Sequence, residues 1–196
     1  MTRTSSATLA VLAGALLGAV TLAGPAYAGS NLHIDATGDS ISTSSATSEE
    51  YLPASDHFRG DISTARVTHR GTTVKVELQF SALARLGTGA QYAFAFRTPK
   101  GLVRKVLVHA GPGRWAGSQA ITNARGTRVR CRGLAHTIAY GGRTLNLTVP
   151  RSCLGSPSWV RVAAGSTTIE HGVYYHDDAY RYSYLPTPAF GPRVRH

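Results

Sequence analysis

The chain has 196 residues, a formal net charge of +11 and two cysteines, a length that suits one domain with a sizeable core behind a short leader. After the leader no apolar run approaches the length of a membrane helix, no repeat or heptad recurs, and the cysteines lack the C-x-x-C spacing of a zinc site. Basic residues concentrate in the middle: residues 29–58 carry five acids and no Lys or Arg, whereas residues 59–165 carry 17 Lys or Arg against only Asp61 and Glu77.

Residues 1–28 read as a secretory signal peptide. Arg3 precedes an apolar run from Leu9 to Ala23, then the helix-breaking Gly24-Pro25 and the small-residue ending Ala26-Tyr27-Ala28, which predicts cleavage before Gly29. The run is too short and too rich in Ala and Gly for a membrane span. The mature chain is therefore expected outside the cytoplasm, secreted or held in the envelope by charge, with no span left after cleavage.

Residues 29–55 are rich in Ser, Thr, Ala and Gly and read as a flexible N-terminal segment, with a possible edge strand at Leu32 and Ile34. Residues 56–184 carry the texture of an antiparallel β-sandwich, immunoglobulin-like or jelly-roll-like. In Thr73–Phe80, Val74, Val76, Leu78 and Phe80 point one way while Thr73, Lys75, Glu77 and Gln79 point the other, and Ala65–His69 alternates before it. The His69-Arg-Gly-Thr72 turn joins the two into a hairpin. Gln91–Arg97 sets Tyr92, Phe94 and Phe96 against small Ala93 and Ala95; Leu102–Ala110 suits a central strand; Thr127–Arg132 alternates. Ala135–Tyr140 and Arg143–Val149 flank Gly141-Gly142 as a second hairpin, and Ser158–Ala164 is the last strong strand. Single helical turns are expected at Arg151–Leu154 and Ala82–Leu86. Residues 185–196, with Pro186, Pro188 and Pro192, form a tail expected to be extended or disordered.

Cys131 and Cys153 are expected to form a disulfide, the default for one pair in an oxidising compartment. It would tie the start of the second hairpin to its end, with Trp159 packed nearby. Asp35 and Asp39 near the mature N-terminus, with Asp177 and Asp178 near the C-terminus, could share a structural calcium ion if the two ends meet; the plain alternative is that they cap turns. No other cofactor is expected. Alternation places Arg128, Arg130 and Arg132 on one face at about 7 Å intervals, and Arg125 extends a ladder that could track phosphates or sulfates on an anionic polymer. A solvated strand face is the alternative, and no feature singles out nucleic acid as a specific partner. Tyr174, Tyr175 and Tyr180, read as loop residues, could stack on a glycan or cover the end of the core. HExxH and GxSxG are absent, so His57, His69, His109, His136, His171 and His176 mark no catalytic site. Arg59-Gly-Asp61 spells an adhesion tripeptide, with Asp61 expected to start a strand.

The chain resembles a loose group of exported bacterial β-sandwich proteins of uncharacterised function. The resemblance rests on Gly60-Asp61-Ile62, Val149-Pro-Arg-Ser-Cys153-Leu-Gly, Trp159-Val-Arg-Val162 and Asp177-Asp178-Ala179, and spans roughly residues 56–180. It implies fold and location and brings no catalytic residues. The expected function is binding of an anionic polymer or glycan by a secreted, non-enzymatic sandwich. A secreted hydrolase of wall or matrix polysaccharide is the first alternative, and a protein-interaction or inhibitor module the second.

Overall fold

A strand that alternates apolar and polar residues has one face that must be covered, and stacking two such sheets covers both. A computed structural model describes residues 29–45, 50–181 and 189–196; the expected signal peptide, Tyr182, Tyr184, Pro186 and Pro188 lie outside the described residues. The strands run β1 (Gly29–Ile34), β2 (Ile41–Thr43), β3 (Leu52–Pro53), β4 (Ile62–Arg70), β5 (Thr73–Phe80), β6 (Gly89–Arg97), β7 (Val103–Gly111), β8 (Arg114–Asn123), β9 (Ala135–Ala139), β10 (Thr144–Pro150), β11 (Trp159–Glu170), β12 (Val173–Asp178) and β13 (Val194–Arg195). One sheet has the order β1-β4-β5-β10-β9. The other has β3-β2-β12-β11-β6-β7-β8, with β13 paired to β11.

The core lies between the two sheets. In the first, Val67 pairs with Val76, which in turn pairs with Leu147, and Ala65, Leu78 and Leu145 form the neighbouring row. The second contributes Tyr92, Phe94 and Phe96 from β6, Val106 and Val108 from β7, and Val160 and Val162 from β11, all buried. Phe80 and Tyr92 meet edge to face across the sheets at 5.6 Å between ring centroids. Each such side chain contributes roughly 1.5–3 kcal/mol through apolar burial, which makes this alternation the main determinant of the fold.

Both expected hairpins form, as β4–β5 and β9–β10, and Arg151–Leu154 makes its single 3₁₀ turn. Cys131 and Cys153 are disulfide-bonded with Cα atoms 5.6 Å apart, clasping the β9–β10 hairpin from both ends. Trp159 carries the Arg193 guanidinium over its ring, 4.6 Å from the ring centroid.

Several elements differ from expectation. Residues 29–55 contribute β1, β2 and β3; β1 is the edge strand, but Leu32 and Ile34 point outward, because the opposite face meets the second sheet. Strand β8 has no clear alternation in its sequence and exists through pairing with β7, from Arg104↔Asn123 to His109↔Ser118. Residues 127–132 form no regular strand: one bridge, Thr122↔Arg128, and the Val129 N–H to Ile121 carbonyl bond of 2.9 Å lay them along the β8 edge. Ala82–Leu86 is irregular, without a helical turn. The last strong strand continues through Ser166 and Thr168 to Glu170, and Tyr174 and Tyr175 lie on β12 where a loop is expected. The described end of the tail is ordered: Val194 is buried and pairs with Val160.

Candidate functional site

Carboxylates converge where the two sheets exchange chain. The β1–β2 connection crosses from one sheet to the other and carries Asp35 and Asp39; Asp61 immediately precedes β4; Asp177 and Asp178 end β12. One oxygen each from Asp39, Asp61 and Asp177 lies within 4.8 Å of the other two. The crossing is held by the Asp35 N–H to Ser63 carbonyl bond of 3.0 Å and by the Gly38 N–H, which reaches Asp61 Oδ1 at 3.1 Å. Gly38 sits at φ +76°, a left-handed conformation that glycine adopts without steric cost.

Hydrogen bonding is uneven across the cluster. Asp177 Oδ2 accepts from the Ile62 N–H at 2.6 Å and its Oδ1 from the Asp178 N–H at 2.9 Å. Asp61 Oδ2 accepts from Ser81 Oγ at 2.6 Å. Asp178 accepts from the N–H groups of Tyr180 and Ala189, both at 3.1 Å. Asp35 uses only Oδ1, on the Ala36 N–H. Its Oδ2 and both oxygens of Asp39 are buried with no hydrogen-bond partner.

Burial, with the neighbouring negative charges, holds the carboxyls of Asp35, Asp39 and Asp177 above the usual range. Asp35 is pushed up to about 9, by burial and then by Asp177 and Asp39. Burial pushes Asp177 up to about 8 and Asp39 to about 6, with Asp61 adding to both. Asp178 is also raised by burial, an effect that its two N–H donors and Arg181 oppose. Tyr180, raised to about 12 by burial, Asp35 and Asp178, borders the cluster. Of the four expected aspartates, Asp39 and Asp177 share the close cluster with Asp61, while Asp35 and Asp178 lie within electrostatic reach of it. The signal of Asp61 in the sequence was an acid directly before a strand that begins with a buried isoleucine.

The basic feature lies on the side of the domain formed by β7, β8 and the segment after β8. No acid occurs between Glu77 and Glu170 in the sequence. Along residues 125–132, Val129 and Cys131 turn inward against the core while Arg125, Arg128, Arg130 and Arg132 are exposed. Elsewhere arginines serve the fold: Arg59 pairs with Glu170 at 2.6 Å, Arg104 donates to the Cys153 carbonyl, and Arg161 donates to the carbonyls of Phe190 and Gly191. Among the described residues, the guanidinium groups of Arg125, Arg128, Arg130 and Arg132 take no hydrogen bond or ion pair. Lys105 pairs with Thr122, which bridges to Arg128, so a further exposed cation stands in the same cross-strand row. Sequence reading missed Lys105 because only strand pairing brings it there. Arg128 and Arg130 also line a shallow groove of about 500 Å³ along β8.

The tyrosines do not form one platform. Tyr174 and Tyr175 are successive residues on β12 and so face opposite sides; Tyr175 stacks on His57 at 3.5 Å. Tyr180 packs against the core and lies 5.0 Å from the His33 ring. The Arg59-Gly-Asp61 tripeptide is likewise built in, with Arg59 on Glu170 and Asp61 fully buried. Imidazoles serve structure as well: His176 is held between Thr43 at 3.1 Å and Thr167 at 2.9 Å, and burial lowers its pKa. No protein-family model, curated protein or solved structure matches this chain.

Proposed function

We propose that this chain is a secreted, non-enzymatic β-sandwich that binds an anionic polymer through the ledge formed by Arg125, Arg128, Arg130 and Arg132, with Lys105 beside it. The observation that carries the reading is the contrast in arginine use. Much of the guanidinium complement is consumed by carbonyls, rings and Glu170, and other exposed arginines such as Arg70, Arg114 and Arg195 are scattered. The four of the ledge, by contrast, are exposed, unengaged and gathered within residues 125–132 on an acid-free stretch. Exposed guanidiniums lose little solvation when they meet phosphate, sulfate or carboxylate, and can pair with them bidentately. No aromatic side chain interrupts residues 125–132, so the ledge reads charge spacing and offers no platform for bases. Burial of Asp35, Asp61, Asp177 and Asp178 further withdraws negative charge from the surface, leaving the exterior more basic than composition alone implies.

The test is retention on immobilised heparin and on immobilised long-chain polyphosphate. The variant Arg128→Ser/Arg130→Ser/Arg132→Ser is expected to elute at clearly lower salt than the native chain while keeping its melting temperature. Elution at the native salt concentration contradicts the reading.

A further inference from the structure

Three carboxylate oxygens within 4.8 Å of one another repel strongly once ionised, unless something positive lies between them. The spacing matches a calcium shell: with Ca–O distances of about 2.3–2.6 Å, ligands on opposite sides of the ion stand roughly 5 Å apart. A second observation is independent of the clustering. Asp35 is only 7% exposed, yet its Oδ2 has no hydrogen-bond donor, and its strongest charged neighbours are Asp177 and Asp39. Both oxygens of Asp39 are also buried without a donor. Buried acceptors are nearly always satisfied, so several unsatisfied ones beside the same acids point to an absent partner, a proton on each or one cation shared by all. Arg181 bears on Asp178, and among the described residues no cation pairs with Asp35, Asp39 or Asp177.

We propose that Asp39, Asp61 and Asp177 bind one calcium ion, with Asp35 turned toward the same ion. The donors are all oxygens, and the set holds no histidine or cysteine of the kind zinc takes. They come from a connection, a pre-strand residue and a strand end, an irregular set that suits calcium better than the strict octahedron of magnesium. The ion ties the β1–β2 crossing and the start of β4 to β12, and so clamps one sheet to the other. This inference is independent of the arginine ledge.

The full chain, stripped with EDTA, is assayed by equilibrium dialysis with radioactive calcium, by terbium luminescence and by thermal melting. The expected results are one calcium per chain and terbium emission sensitised through tyrosine, Tyr180 lying beside Asp35 and Asp178. Excess calcium should quench that emission. The melting point should rise by several degrees in millimolar calcium, and by much less in equimolar magnesium. Asp39→Asn should abolish the calcium-dependent rise, yet melt no lower than the native chain in EDTA, because it removes an uncompensated buried charge. Absence of bound calcium at millimolar concentration, or a full calcium response in Asp39→Asn, overturns the proposal. Should that variant fail to fold, the dialysis and terbium results on the native chain decide alone.

Discussion

Asp39 and Asp177 hold carboxylate oxygens within 4.8 Å of each other, one from the connection that leaves β1 and the other from β12 in the opposite sheet. Neither sheet brings them together by itself; the crossing of the β1–β2 connection does. The pair therefore reports directly on how the two layers are joined.

Stability in EDTA should fall as pH rises from 7 to 9. Asp177 and Asp35 have folded values raised from 3.8 to about 8 and 9, whereas Asp39, raised to about 6, has given up its contribution by pH 7. A raised carboxyl stabilises the fold fully below its unfolded value, and that contribution is lost as pH climbs through the folded value. His57, His69 and His176 act oppositely, since burial lowers them, but their effect is complete above the ordinary imidazole value of 6.5. Melting curves at a series of pH values in chelator check this. A midpoint that climbs between pH 7 and 9 contradicts it.

Removing the disulfide should cost about 3 kcal/mol, the chain entropy of the loop it closes. For a domain of this size that is roughly 6–12 °C in melting temperature. Cys131→Ser/Cys153→Ser should keep the native circular dichroism, because β10 is also laddered to β5 and β9 to β10. A melting point within a degree of the native chain would show that the clasp restrains nothing.

Gly60 is irreplaceable for two reasons. It sits at φ +82°, and a Cβ there would stand 2.7 Å from Thr168 Cγ2 and 3.2 Å from Ser166 Oγ. Gly60→Ala should destabilise by about 2 kcal/mol or more, against about 1 kcal/mol for Gly71→Ala, where the turn is open. Adding Thr168→Ser to Gly60→Ala removes the obstructing methyl and should recover part of the loss. Equal costs at Gly60 and Gly71, measured by urea denaturation, would mean that the packing around Thr168 yields freely.

Much of the sandwich was legible because period two in Thr73–Phe80, Gln91–Arg97 and Arg143–Val149 leaves little choice of face. The elements that escaped are those whose faces are not apolar. Strand β8 reads Arg114-Trp-Ala-Gly-Ser-Gln-Ala and carries little hydrophobic signal, and β12 ends in His176-Asp177-Asp178, which looks like a loop until the buried carboxylates are seen together. β2 is only three residues, held by β12 on one side and β3 on the other, so its signal is tertiary. Asp35, Asp39, Asp177 and Asp178 could be picked out from their positions near the chain ends. Asp61 showed only as an acid before a strand, and its place beside Asp39 and Asp177 depends on the Gly38 turn reaching it across the crossing.

The most direct test of the binding role compares two variants that each remove three positive charges. One is Arg128→Ser/Arg130→Ser/Arg132→Ser, on the ledge. The other is Arg70→Ser/Arg114→Ser/Arg195→Ser, at exposed positions outside it. Affinity for a fluorescent heparin oligosaccharide, followed as a function of salt, should drop and lose salt dependence in the ledge variant, with the control close to the native chain. Equal losses in both variants would mean that net charge alone attracts the polymer, and the ledge would lose its assigned role.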